Sequence, residues 1–442
     1  MTPAARVAAA IELLSAINSD GRPADAVASH YFRTRRYIGA KDRRAISERV
    51  WGILRRRARL GWWLTQEKVE DWPRERVIAD LVLTDHLDQA TISAIFTGEH
   101  NCPEKLTPED KRLIQALKGK DIFHHDMPVP VRGEFPDWLE ARFTDLFGDN
   151  LPKEVALLRE EAPVDLRINS LKTDRQTAQG ALAKEGLKAE PTKLSPIGLR
   201  LPARVALTAQ ELFKDGLVEV QDEGSQLVAL LADARPGQAV LDLCAGAGGK
   251  TLAMAATMQN KGRLVACDTH SGRSERATQR LRRAGVHNVT RRVIEAEGDK
   301  WLKRQAGSFD RVLVDAPCSG SGTWRRNPDA KWRLSEENLT NLTALQGRIL
   351  DQAAALVKPG GHLIYATCSL LPEENDRQVD AFLARHADFT LMPINEAWAA
   401  TIGGQCPVDG GTLQLTPAAH DTDGFFAAVL IKSCSQTGSA PE

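Results

Sequence analysis

The sequence predicts an α/β protein: a parallel sheet carrying the chemistry, preceded by an all-helical region and a small α+β module. Three observations predict it. From Arg235 onward, short apolar runs alternate with helical patterns, as strand–helix–strand units of a parallel sheet require. The first run ends in a glycine-rich turn, VLDLCAGAGGKT (240–251), and the second, RLVACD, ends in an acid, Asp268. Far upstream, Val7, Ile11, Leu14 and Ile17 recur at helical spacing.

A chain of 442 residues exceeds one ordinary core, so two or three domains are expected. The formal net charge is +0, so a nucleic-acid site has to come from local clustering of basic residues. The seven cysteines (102, 244, 267, 318, 368, 406, 434) form no CxxC pair and no metal spacing. That usage reads as reduced and intracellular. Glu12 interrupts the apolar N-terminus, no secretory signal is apparent and no run is long enough to span a membrane, so a cytoplasmic protein is expected.

Residues 1–130 are expected to form the helical domain. Between Arg33 and Arg59 eleven Lys or Arg stand against Asp42 and Glu48, with Tyr31, Phe32, Tyr37, Trp51, Trp62 and Trp63 nearby. The one-sided charge reads as contact with nucleic-acid phosphates, and the aromatics read as core. Four prolines (103, 108, 128, 130) flank one further helix. Asn101-Cys102 with His124-His125 matches no zinc spacing, and no metal is expected.

Residues 131–225 are expected to form the small α+β module. Asp137 is a candidate cap for a helix opening at Phe135, 164–169 alternates as a strand, 173–187 is helical, and Gly198–Leu201 is a second short strand. Gln221-Asp222-Glu223-Gly224-Ser225 is a capping signal for the helix that follows. In the domain 226–434, strands are expected at 238–243, 262–267, 289–295, 310–315, 361–366 and 425–431. The intervening helices are expected at 249–258, 271–284, 298–305, 337–357 and 373–385. The tail 435–442 is expected to be disordered.

Gly246, Gly248 and Gly249 let backbone approach a ligand closely, and the helix that begins there offers free N–H groups to an anion. Mononucleotide, dinucleotide and adenosyl-methionine sites all use such a turn, and the spacing is not that of a P-loop. Asp268 stands twenty residues past Gly248, where a carboxylate grips ribose hydroxyls; it also suits a helix cap. Two further strands deliver thiols to the same edge. RVLVDAPCSGSGTW (311–324) brings Asp315 and Cys318, and HLIYATCS (362–369) brings Cys368. A single Asp-x-x-Cys would read as a turn with a structural cysteine. Two thiols at two strand ends call for a reaction. Methylation at carbon 5 of a pyrimidine needs one, because a thiolate added to carbon 6 makes carbon 5 nucleophilic. Asp315 could hydrogen-bond the ring nitrogen and the exocyclic amine.

The residues resemble the RsmB/Nop/Sun family of RNA cytosine-C5 methyltransferases. The likeness rests on VQDEGSQL (220–227), LCAGAGGKT (243–251), DAPCSGSG (315–322), RRNPDAKW (325–332), ATCSLLPEEN (366–375) and DGFF (423–426). It implies a Rossmann-like class I domain that uses S-adenosyl-L-methionine. It implies Cys368 as nucleophile, Cys318 as the aid to product release, and Asp315 as a further catalytic group. Cofactor contacts then fall on Cys244, Ala245, Gly246, Ala247, Gly248, Gly249, Lys250, Asp268, Asp315 and Glu297, with Asp299 as rival to Glu297. The turn departs from the family's Ala-Pro-Gly-Gly-Lys-Thr by lacking the proline. The N-terminal helices are similar to a NusB-like RNA-binding domain through KDRRAISERVWGILR (41–55), and the module to a ferredoxin-like one. The resemblance implies RNA, 16S ribosomal RNA above all, as partner of a monomer. An RNA-binding assembly factor without catalysis is the alternative, and a DNA cytosine methyltransferase a more distant one.

Overall fold

A computed structural model describes residues 1–202, 205, 207–295 and 298–434. The expected tail at 435–442 lies outside them. Contacts divide the chain into two compact units: Met1–Glu161 with Trp324–Leu334, and Ala162–Thr323 with Ser335–Glu442.

The first unit is helical. Its longer helices are Pro3–Ser19, Ala24–Thr34, Ala40–Arg55, Arg57–Gln66, Pro73–Leu83 and Pro108–Leu117. Prolines sit in the first turn of three of them, where a missing N–H costs nothing. Thr107 and Asp110 close a capping box. The helical spacing read from the sequence holds, since Val7, Leu14 and Ile17 are buried together with Ile46, Val50, Leu60, Val77 and Ile114. The unit runs past the expected boundary at residue 130. Phe135 and Phe143 are buried, and Phe143 packs 5.8 Å from the Trp324 ring. Asp137 lies inside a short 3-10 turn and caps nothing with its side chain.

The arginine run is partly internal wiring. Asp80, fully buried, accepts from Arg49 at 2.8 Å and Arg56 at 2.7 Å. Glu134, also buried, accepts from Arg59 Nε at 2.7 Å and from the backbone N–H groups of Ala58 and Arg59. Its carboxylate thus neutralises the positive end of the helix starting at Arg57. Arg55 donates to the carbonyls of Arg325 (2.6 Å) and Glu160. The exposed part of the run is Arg33, Arg36, Lys41 and Arg44 around Tyr37, itself 75% exposed although the aromatics were expected in the core. Tyr31 and Trp63 are buried as expected. Lys331, from the RRNPDAKW segment, is buried in this unit, and burial pushes its pKa down to about 7. His124, His125 and Asp126 bring ligand-type atoms within 4.8 Å of one another on a largely solvent-facing turn.

The second unit opens with β1 (Val164–Ile168), β2 (Glu190–Pro191), β3 (Gly198–Leu201) and β4 (Val218–Val220), an antiparallel sheet in the order β2-β3-β1-β4. Leu166, Ile168, Leu182, Leu199 and Val218 fill its core. The larger sheet contains β5 (Ala239–Asp242), β6 (Arg263–Asp268), β7 (Val289–Val293), β8 (Phe309–Asp315), β9 (Val357–Thr367), β10 (Phe389–Met392), β11 (Leu413–Leu415) and β12 (Phe425–Lys432). The order is β10-β12-β9-β8-β5-β6-β7, with β11 also on β12. β9, β8, β5, β6 and β7 run parallel; β12 pairs antiparallel with β9, and β10 and β11 each pair antiparallel with β12. The central strands are buried on both faces, hence their unbroken apolar runs. All six strands expected in the domain 226–434 are present. β10 and β11 were not expected.

Replacing Asp80 by Ala should leave the charges of Arg49 and Arg56 without their buried partner. The expected cost is roughly 3 kcal/mol in chemical denaturation of the helical unit; a loss of only a few tenths would mean the two arginines find solvent instead.

Candidate active site

Parallel strands release their ends at one edge of the sheet, and β5, β6, β8 and β9 bring acids, a glycine turn and two thiols there. β5 delivers the glycine turn. Gly246 (φ +56°) and Gly248 (φ +79°) adopt the left-handed conformation that glycine tolerates, and the helix Gly249–Thr257 starts immediately after. A Cβ on Gly246 would meet nothing within 4 Å, so the turn borders open space. From the end of β6, Asp268 accepts from the N–H of Gly246 at 2.9 Å and of His270 at 2.8 Å. The strand-end acid therefore holds the turn, while His270 occupies the cap position of the helix Ser271–Ala284. The small sheet braces the turn from below. Arg167, on β1 and buried, donates to the Gly249 carbonyl at 2.6 Å and to Gln221. Arg280 donates to the Ala247 carbonyl at 2.9 Å and pairs with Glu219 on β4.

Lys250, in the first turn of the helix, reaches Asp315 at the end of β8 with Nζ···Oδ2 at 2.6 Å. Burial opposes the lysine's charge, but the charge and hydrogen bond of Asp315 outweigh it and hold its pKa above the ordinary value. Asp242, at the end of β5, is fully buried. Thr251 donates to its Oδ2 at 2.6 Å, and its Oδ1 has no partner among the described residues. Burial, only partly offset by the Thr251 bond, pushes its pKa up to about 7.

The two thiols meet. Cys318 Sγ lies 3.5 Å from Cys368 Sγ, and both are free. The hydrogen bond to Cys368, burial, and the negative charge of Glu374 raise the Cys318 pKa well above that of an ordinary thiol. Burial also pushes up Cys244, and Cys267 to about 12. Cys267 is packed in the core of the sheet. The loops that carry the two thiols are stitched together. Gly322 N–H donates to the Cys368 carbonyl at 3.0 Å, and Gly424 N–H to the Gly322 carbonyl at 2.8 Å. A Cβ on Gly322 would run into the Gly424 carbonyl, which is why the DGFF and SGSG stretches meet at bare backbone.

Of the sequence-derived positions, Gly246, Gly248, Gly249, Lys250, Asp268, Asp315, Cys318 and Cys368 come to this edge. Cys244, Ala245 and Ala247 supply its turn. Glu297 lies outside the described residues. Asp299 spends its carboxylate on the N–H groups of Trp301 (2.9 Å) and Leu302 (3.0 Å), as cap of the short helix Lys300–Lys303. Glu374 and Gln346 were missed. Gln346 Nε2 donates to the Pro317 carbonyl (2.9 Å) and to Glu374 (3.0 Å). Nothing in the spacing of PEEN or of the long helix Glu336–Ala354 signals that contact.

The family described as 16S rRNA methyltransferase RsmB/F matches residues 229–431, and an RsmF/B-like ferredoxin-like domain matches 135–208. The probable ribosomal RNA small subunit methyltransferase B of Synechocystis is 32% identical over 418 residues, which cover 90% of this chain and 92% of that protein. Among solved structures, PH0851 is similar over 98% of this chain and 99% of its own, with TM-score 0.79 and 26% identity. A methyltransferase homologue from Pyrococcus horikoshii is similar over 69% of this chain and 97% of its own, with TM-score 0.58 and 27% identity.

Asp242 yields a pH prediction. In the folded chain its carboxyl holds a proton up to about pH 7, whereas the unfolded chain releases it near 3.8. Between those values the folded state binds the extra proton, so stability falls as pH rises, by roughly 1.4 kcal/mol per pH unit. Asp242→Asn has no such proton. The wild type should therefore lose stability relative to the variant from about pH 4 to about pH 7, and the difference should be flat at higher pH. Parallel stability curves across that range would show that the carboxyl is ionised throughout.

Proposed function

The chain belongs to the 16S rRNA methyltransferase RsmB/F family, and on that premise we propose that it transfers a methyl group from S-adenosyl-L-methionine to carbon 5 of a cytidine in 16S ribosomal RNA. The observation that carries the C5 reading is the pair of thiols 3.5 Å apart beside the Lys250–Asp315 ion pair. The residues present suit the cofactor: a glycine turn open to solvent, a helix start, and an acid at the end of β6. When bound, the cofactor supplies an electrophilic methyl group on its sulfonium.

This chain's side chains divide the remaining work. Cys368, at the end of β9, is taken as the sulfur that attacks, with the Cys318 thiol 3.5 Å away as its assistant. The Cys368 thiolate bonds to carbon 6, and the electron pair of the 5,6 double bond becomes available at carbon 5, which takes the methyl group. Asp315, held in place by Lys250, accepts a hydrogen bond from the exocyclic amine of the cytosine and orients the ring for attack. Loss of the carbon 5 proton to a base then restores the double bond. The carbon 6–sulfur bond breaks, with its electron pair returning to Cys368, and Cys318 assists that departure. The exposed basic residues around Tyr37 supply phosphate contacts for the RNA. The protein is read as a cytoplasmic monomer, and no helix among the described residues is long and apolar enough to cross a membrane.

Two variants test the division of labour. Cys368→Ala should abolish methylation and leave no covalent RNA adduct. Cys318→Ala should still attack and methylate but stall before release, accumulating a protein–RNA band that survives denaturation. An adduct from Cys368→Ala and none from Cys318→Ala would exchange the two roles; methylation intact in both would rule out covalent catalysis.

Asp268→Ala should weaken cofactor binding by about ten- to a hundredfold, the worth of charge-assisted hydrogen bonds to ribose together with the hold on the Gly246 N–H. Calorimetric titration with the cofactor reads this directly, and an unchanged affinity would place the ribose elsewhere.

A further inference from the structure

Glu374 lies in the turn Pro372–Glu374 after β9, and its side chain is fully buried. Each oxygen is taken up by a different set of donors. Oε1 accepts from Ser319 N–H at 2.8 Å and from Gln346 Nε2 at 3.0 Å. Oε2 accepts from the Ser319 hydroxyl at 2.5 Å and from the Ser369 hydroxyl. Ser319 follows Cys318 and Ser369 follows Cys368, so one carboxylate grips the residue after each thiol. The turn is itself pinned, because the Tyr365 hydroxyl donates to the Glu374 carbonyl at 2.6 Å. Asn375 accepts from Thr367 at 2.6 Å and donates to the Ser369 carbonyl at 2.9 Å. Gln346 also donates to Pro317, on the other side of Cys318. The donors to this buried carboxylate are amides and hydroxyls; no ion pair to it is found among the described residues, so its charge acts on its surroundings without a neutralising partner.

Resting on the C5-methylation reading, we propose that Glu374 is the positioning residue of the thiol pair: its carboxylate locks the Cys318 and Cys368 loops to each other, and its negative charge sets the electrostatics in which the pair works. The first role follows from the four hydrogen bonds and the second from the sign of an uncompensated buried charge, which opposes a thiolate beside it. The other groups facing Cys318 are Cys368, and Tyr365 on β9, whose own pKa Cys318 helps to raise. The nearest cation of the edge, Lys250, is engaged by Asp315. Removing the Glu374 charge therefore takes away one of the influences, beside the Cys368 hydrogen bond and burial, that hold the proton on Cys318.

Glu374→Gln keeps the shape and removes the charge. The test is iodoacetamide labelling of the free full-length protein across about pH 6 to pH 10, read separately at the Cys318 and Cys368 peptides by mass spectrometry. In the variant the Cys318 labelling midpoint should fall by about one pH unit, giving roughly tenfold more labelling at a fixed pH below it. Turnover on RNA should fall by about tenfold or more at unchanged KM for the cofactor. Glu374→Asp, with the charge on a shorter stem, should keep the Cys318 midpoint close to that of the wild type and recover most of the turnover. An unchanged Cys318 profile in folded Glu374→Gln overturns the proposal, even if activity is lost, because packing alone would then explain the loss. Should Glu374→Gln fail to fold, Glu374→Asp decides: a Cys318 midpoint that drops despite the retained charge overturns the proposal, and a preserved one supports it. Labelling needs neither RNA nor cofactor, so a wild type that methylates no RNA would sink the proposed function without touching this result.

Discussion

The parallel pairing of β8 with β9 is the constraint on which the site depends. Their register sets Asp315 opposite Ala366. Asp315 is three residues short of Cys318, and Ala366 two short of Cys368. Two loops leaving adjacent strands from matched positions bring their sulfurs to 3.5 Å. A one-residue slip would turn the side chains of one strand to the opposite face of the sheet. The slip is prevented by burial on both faces, with Val312, Val314, Leu363 and Tyr365 in one core cluster and Leu313, Ile364 and Ala366 in the other.

Around that pairing the edge is built from charges kept short of water. Lys250 and Asp315 neutralise each other, Asp268 accepts from two backbone N–H groups, and Asp242 has its pKa lifted into the neutral range. Each carboxylate sits at the end of a different parallel strand, so a single helix start and a single lysine face three acids. Burying an unpaired charge is expensive; the site divides the cost between an ion pair, backbone amides and a retained proton.

The Gly-turn, the strand-end acid and both strand–thiol units were legible because each lies within about a dozen consecutive residues, where periodicity and turn chemistry operate. The arginine run was legible as charge and misleading as surface. Asp80 and Glu134, which neutralise Arg49, Arg56 and Arg59, are 24 to 75 residues away in the chain. Local counting of charge cannot see such partners. The same distance hid Glu374's clamp on Ser319, which spans 55 residues. β10 and β11 escaped notice because four and three residues are too few to display a period, and both exist only through pairing with β12.

By itself, the sequence determined the α/β class, the order of the strands along the chain, the chemistry available at their ends and the family to which the chain belongs. Each of these is written in local patterns of apolar spacing, glycine and reactive side chains. Only the tertiary structure decided that the two thiols touch, that a buried glutamate grips both of their loops, that Asp268 holds the glycine turn, and which arginines are exposed. Those outcomes depend on pairings between residues distant in the chain, and such pairings are set by packing and by the demand that every buried polar group find a partner.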